Sequence, residues 1–140
     1  MNNNGNSKKM SDDLSTWDRV KDSGVREEFK TGSKRDSRFG KGRFDLIPPY
    51  ALYRLARHYE NGAVKYGNRN WERGQSLSRY LDSAIRHLNC VCMGLNDEDH
   101  LAAVAWNIFA IIETKRRIEL GLLPEELDDL PKTYLDKDPK

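Results

Sequence analysis

Apolar residues return at intervals of three and four along three stretches of this chain, and no stretch shows the apolar–polar alternation of a half-buried strand. In the first stretch Leu52, Leu55, Ala56, Tyr59, Ala63 and Tyr66 recur at helical spacing. Pro48 and Pro49 open it, where first-turn N–H groups lack partners in any case, and Gly67 is placed to cap it. In the second, Leu77, Leu81, Ala84, Ile85, Leu88 and Val91 predict one buried face, starting near Ser76 or Ser78 and stopping at Gly94. The third begins at Asn96 or Asp97 as cap, and Leu101, Val104, Ala105, Ile108, Ile111 and Ile112 form a broad apolar stripe. Lys115, Arg116 and Arg117 near its end suit the helix dipole.

What surrounds these helices is polar. Residues 1–23 read as an arm, disordered over Met1 to Lys9, with Trp17, Val20, Val25 and Phe29 as loosely docking positions. Thr31 to Arg43 carries three glycines and five cations and reads as a loop. Pro124 opens one acidic turn in a polar tail over 122–140. The predicted fold is therefore all-α, a small bundle of three main helices over residues 24–121 with an extended N-terminal arm. Three helices bury little, so homo-oligomerisation is expected to complete the core.

Composition narrows the setting. The net charge of +2 on 140 residues argues against a protein built to coat nucleic acid, while leaving room for a local basic site. No apolar run approaches the ~18–20 residues of a membrane span, and no signal-peptide core is seen. Cys90 and Cys92 point to different faces of one helix and do not suit a disulfide. A soluble chain in the cytoplasm is expected.

Candidate chemistry lies where polar side chains border apolar faces. On the third helix His100 and Asn107 share a side with Ala103 and Ala110, which leaves space above the backbone for a polar pocket. Asp99 stands beside them, although it could equally be a cap. Glu60 borders the first buried face and Asp82 the second, where Asp82 could instead pair with Arg86. Oxygen ligands from several helices suit Mg2+, with Mn2+ as substitute. His87 and Cys90 stand three apart, yet no further Cys/His pair completes a tetrahedral zinc set. Glu60, Asp82, Glu98 and Asp99 are thus the candidate metal ligands, with Glu60, Asp82 and Asp99 as catalytic acids.

Two cationic clusters suit phosphate. Lys34, Arg35, Arg38, Lys41 and Arg43 lie among glycines, so backbone N–H groups and cations can approach one anion together. Lys65, Arg69 and Arg73 alternate with Tyr66, Asn70 and Trp71, pairing charge for phosphates with an aromatic and an amide for a purine.

The run G-K-G-R-F-D-L-I-P-P-Y-A-L-Y-R-L-A-R-H-Y-E-N-G-A-V-K-Y-G-N-R-N-W-E-R-G, followed by S-R-Y-L-D-S-A-I-R-H-L and D-E-D-H-L-A-A-V-A-W-N, resembles the phage dATP/dGTP diphosphohydrolases, which belong with the MazG-like all-α pyrophosphohydrolases. The resemblance covers residues 24 to 120. It implies hydrolysis of dGTP and dATP to the monophosphate and pyrophosphate, in some phages supplying dGMP for 2-aminoadenine nucleotides. The superfamily's Glu-x-x-Glu and Glu-x-x-Asp pairs are not reproduced, since Ala63 follows Glu60 and Ala102 follows Asp99 at that spacing. The expected reaction is metal-assisted in-line attack of water on the α-phosphorus. Lys65, Arg69 and the basic loop would face the leaving pyrophosphate, Asn70 and Trp71 the base, and His100 and Asn107 the substrate. A non-catalytic phage accessory protein binding nucleic acid through its basic N-terminal region is the alternative. An HD-type phosphohydrolase ranks last, because Asp99-His100 reverses the His-Asp order.

Overall fold

The computed structural model describes residues 20–132, which fall into two compact units, 20–46 and 47–132. Met1 to Lys9, Trp17 and residues 133–140 lie outside the described residues.

In the first unit β1 (Arg26–Glu28) pairs antiparallel with β2 (Lys34–Asp36), Arg26 opposite Asp36 and Glu28 opposite Lys34. This hairpin stands in part of the segment expected to be a loop. Its turn closes where the Gly32 N–H donates to the Phe29 carbonyl at 2.7 Å, with Gly32 at φ +83°. Cross-strand charge favours the register: Arg26 lies 2.9 Å from Asp36, and Lys34 lies 3.8 Å from Glu28. Strands reading R-E-E and K-R-D carry no apolar alternation, which is why periodicity misses them.

The second unit holds α1 (Pro49–Tyr66), α2 (Leu77–Cys92) and α3 (His100–Glu119), so the all-α bundle of three helices is the fold. α2 and α3 form an antiparallel hairpin, matching His87 with His100 and Ser83 with Asn107. α1 runs parallel to α3, matching Arg54 with Asp99 and Tyr59 with Trp106. Leu77, Tyr80 and Ala110 form the centre of the core, with Trp106, Ile111 and Leu130 against it.

The buried side of α3 is its small and polar side. His100, Ala103, Asn107, Ala110 and Thr114, spaced three and four apart, are all buried. Leu101, Ile108 and Ile112 of the expected apolar stripe are exposed instead. α2 repeats the pattern only in part: Leu77, Tyr80, Ala84 and His87 are buried, while Ile85, Leu88 and Val91 are exposed. The inward positions of α3 are small, and the large inward side chains, Leu77 and Tyr80, come from α2, with Ala110 in the same cluster. Hydropathy counts large residues as the core; packing on α3 selects small ones.

Asp99, rather than Asn96 or Asp97, caps α3, accepting from the Ala102 N–H at 3.0 Å. Both its oxygens also take hydrogen bonds from Arg54, at 2.6 and 2.8 Å, tying α1 to the start of α3. That guanidinium holds the Asp99 carboxyl at about 2, so it is an anion throughout the neutral range. Asp99→Ala is expected to cost ~1–2 kcal/mol in urea denaturation, as lost caps do; an unchanged midpoint would remove the cap from this account.

The segment after α3 folds back. Asp129 accepts from the Ser78 N–H at 2.8 Å and from the Ser78 hydroxyl, satisfying the first turn of α2, which Ser76 leaves uncapped. Leu123 and Leu127 lie over Gly74, whose φ is +78°. A Cβ at Gly74 would stand 2.8 Å from Leu127 and 2.9 Å from Leu123. Gly74→Ala should therefore lower stability by ~2 kcal/mol through strain and overlap together, read as a shift in denaturation midpoint. No loss would mean that the segment yields freely.

Candidate metal centre

The chain contains three histidines, and the fold gathers all of them at one end of the helical unit. His87 sits on the inner face of α2, one turn beyond Ala84. Glu98 lies in the short connection to α3, and His100 is the first residue of α3. Because Asp99 fixes the start of α3, the residues on either side of it are fixed as well.

His87, Glu98 and His100 each offer one donor atom, all within 4.8 Å of one another. His87 Nδ1 lies 2.9 Å from His100 Nδ1. Glu98 Oε1 stands 3.2 Å from the first and 3.6 Å from the second. Both imidazoles are buried, whereas the Glu98 side chain is 56% exposed. His100 Nε2 bonds Asp97 at 2.8 Å, and that bond lowers the Asp97 carboxyl below its ordinary range.

The partners dictate the protons. Arg86 approaches His87 Nε2 at 3.3 Å, and a guanidinium can only donate, so that nitrogen accepts and Nδ1 carries the hydrogen. The hydrogen then points at His100 Nδ1, leaving the His100 Nε2–H for Asp97. Burial, reinforced by the Arg86 charge, lowers the His87 pKa and keeps the ring neutral at pH 7. Burial also lowers His58, against the opposing pull of Glu98 and Asp99. Neutral rings are the form that binds metal.

Two hollows flank the α3 face. One of about 280 Å³ is lined by Arg54, Asn96, Glu98, Asp99 and His100. Another of about 680 Å³ is lined by Tyr59, Arg69, Trp71, Phe109 and Glu113.

Of the residues expected to hold metal, only Glu98 is in this cluster. Asp99 is adjacent but engaged with Arg54. Glu60 is exposed and paired with Arg57 at 2.7 Å. Asp82 is exposed on α2 and forms no ion pair among the described residues, the one with Arg86 included. Asn107 is buried and donates to the Ala103 carbonyl at 2.8 Å and to Ser83 at 3.4 Å. Lys65 lies over the Tyr66 ring, Arg69 pairs with Glu72, and Asn70 and Trp71 lie in the 3-10 turn Asn70–Arg73. Lys34, Arg35, Lys41 and Arg43 belong to the first unit, where Arg43 pairs with Asp45.

Sequence reasoning passes over His58 and Arg54, considers His87 only with Cys90 as a zinc pair, and reads Asp97 as a cap. A usable signal existed for His87: residues equidistant from the turn of a helical hairpin meet, and His87 and His100 are nearly symmetric about Gly94.

A family model described as dATP/dGTP diphosphohydrolase, N-terminal, matches residues 31–121. The chain belongs to this family. The match takes in β2, all three helices and the whole histidine cluster of this diphosphohydrolase-family protein. No curated protein and no solved structure matches it. Among the described residues no helix is long and apolar enough to cross a membrane.

Proposed function

We propose that this chain hydrolyses dGTP and dATP between the α and β phosphates, releasing the monophosphate and pyrophosphate, at the end of the helical unit where His87, Glu98 and His100 converge. Family membership over residues 31–121 is the observation that carries the reading. The convergence of two imidazoles and a carboxylate beside an open cleft supports the location.

A dication held by His87, Glu98 and His100 would neutralise phosphate oxygens as a Lewis acid. The other contributions belong to the chain. Arg54 and Arg86 flank the cluster and present cations to a polyphosphate. Asp97 fixes the orientation of the His100 ring. Arg69 and Trp71, with Tyr59 and Phe109, offer an aromatic wall to a purine. In the first unit Lys34 and Arg35 on β2, followed by Lys41 and Arg43, are cations of the kind that phosphate attracts. Use of the dGMP for a modified base, in host cytoplasm, belongs to the same proposal.

The test is product analysis with each dNTP in the presence of Mg2+, Mn2+ or Zn2+. Purine dNTPs are expected to give monophosphate and pyrophosphate in equal amounts. Diphosphate and orthophosphate would overturn the cleavage position, and no turnover would overturn the enzyme. Salt-dependent DNA binding without turnover would instead support a nucleic-acid module, which the cation-rich stretch from Lys34 to Arg43 suits.

The same reading includes self-association. Leu101, Ile108, Phe109 and Ile112 of α3 and Ile85 and Leu88 of α2 are exposed large apolar side chains, more than a monomer of this size ordinarily leaves to water. Light scattering is expected to give a multiple of the 16.2 kDa chain mass; a monomer at micromolar concentration would refute this part.

A further inference from the structure

The geometry points to a first-row transition-metal dication, rather than Mg2+, as the ion of the His87–Glu98–His100 cluster. This shares its place with the proposed hydrolysis but rests on the donor set alone, and it holds whether or not nucleotide is cleaved.

Three observations carry it. The first is donor chemistry: two imidazoles and one carboxylate suit Zn2+, Co2+ or Mn2+, whereas Mg2+ prefers an all-oxygen shell and gives up its waters reluctantly. The second is spacing. Donors bound to one ion at about 2.1 Å stand ~3.0 Å apart at a right angle and ~3.4 Å apart at the tetrahedral angle. The edges of this triangle, 2.9, 3.2 and 3.6 Å, bracket both values, so a shared ion replaces the hydrogen between the rings without moving either helix. The third is support behind the donors. Asp97 accepts a hydrogen bond from the far ring nitrogen of His100, the usual means of holding a ligand ring and raising its basicity.

Arg86 works against loading. With Nδ1 on the ion, His87 must carry its proton on Nε2, facing the Arg86 guanidinium at 3.3 Å, which also only donates. The guanidinium must turn away on binding. An amide oxygen at that position would accept the proton instead.

The experiment uses the untagged full chain, freed of metal by chelation, so that its three histidines are the only imidazoles. Long-range 15N spectra of the rings are recorded as Zn2+ is added, with Mg2+ titrated in parallel by calorimetry. One equivalent of Zn2+ should shift the Nδ1 resonances of His87 and His100 to coordinated values, and move the His87 proton to Nε2. His58 serves as internal reference. Zn2+ should bind at least about a hundredfold tighter than Mg2+. Glu98→Gln and His100→Gln should each weaken Zn2+ binding tenfold or more, and Arg86→Gln should tighten it several-fold. Because the ring spectra come from the unaltered chain, they stand even if His100→Gln fails to fold. Unshifted Nδ1 resonances, equal affinity for Mg2+ and Zn2+, or Zn2+ binding indifferent to Glu98→Gln would overturn the assignment.

Discussion

Glu98→Gln is expected to lower kcat for dGTP hydrolysis by ~10²–10³-fold, which is ~3–4 kcal/mol of transition-state stabilisation, with helical content and melting temperature unchanged. Glu98 is the one anionic donor of the cluster and is largely exposed in a connection, so it contributes charge to the site and little to the core. The amide keeps the shape and removes the charge, which isolates electrostatics from packing. His87→Ala should reduce turnover as far but also cost stability, since its ring is buried between α2 and α3. The companion variants decide between two centres. Glu60→Gln and Asp82→Asn, placed by sequence among the metal ligands, should leave kcat within roughly twofold, as exposed charges outside a site do. Loss of turnover in either of them, with Glu98→Gln still active, would move the reaction centre onto those carboxylates.

Much of the fold was readable, and the reasons it was readable are local. Pro48, Pro49 and Gly67 bracket α1 because their backbone preferences act within one turn. Gly94 and Gly121, both at positive φ, follow α2 and α3 for the same reason. The buried faces were less legible. In α3 the inward line of His100, Ala103, Asn107, Ala110 and Thr114 is legible only in part as a pocket face, because hydropathy points to the exposed Leu101, Ile108 and Ile112 as core. Helix pairing by close approach rewards small residues, and a single-helix pattern cannot reveal how near its neighbour comes. The candidate metal centre is less legible still. Glu98 and His100 drew attention as polar groups near a helix start, but the donor set depends on where α2 turns back. Counting carboxylates favoured an all-oxygen site; folding the hairpin brought two imidazoles to one of those carboxylates. The Ser78–Asp129 cap, which spans 51 residues, is likewise a tertiary event with no local mark in the acidic segment around it.

Trp106→Ala should be the most damaging single change to the fold, costing ~3 kcal/mol, the lower end for a tryptophan truncation because the side chain is only half-buried. Trp106 is where the three helices meet. Its ring centroid lies 6.0 Å from Tyr59, 6.1 Å from His58 on α1 and 5.8 Å from Tyr80 on α2. This ring and the Arg54–Asp99 pair both link α1 to α3, so truncation loosens α1, while the α2–α3 hairpin loses the Tyr80 contact and keeps Leu77, Tyr80 and Ala110 together. Trp106→Phe retains an aromatic wedge and should cost ~1–1.5 kcal/mol. Urea denaturation followed by circular dichroism reads both. The pattern across two measurements is the sharper test. His87, Glu98 and His100 come from α2, the connection and α3, so Trp106→Phe should lower the denaturation midpoint while leaving Zn2+ affinity within about twofold. A fall in affinity to match the fall in stability would mean that α1, through His58, helps to build the metal centre.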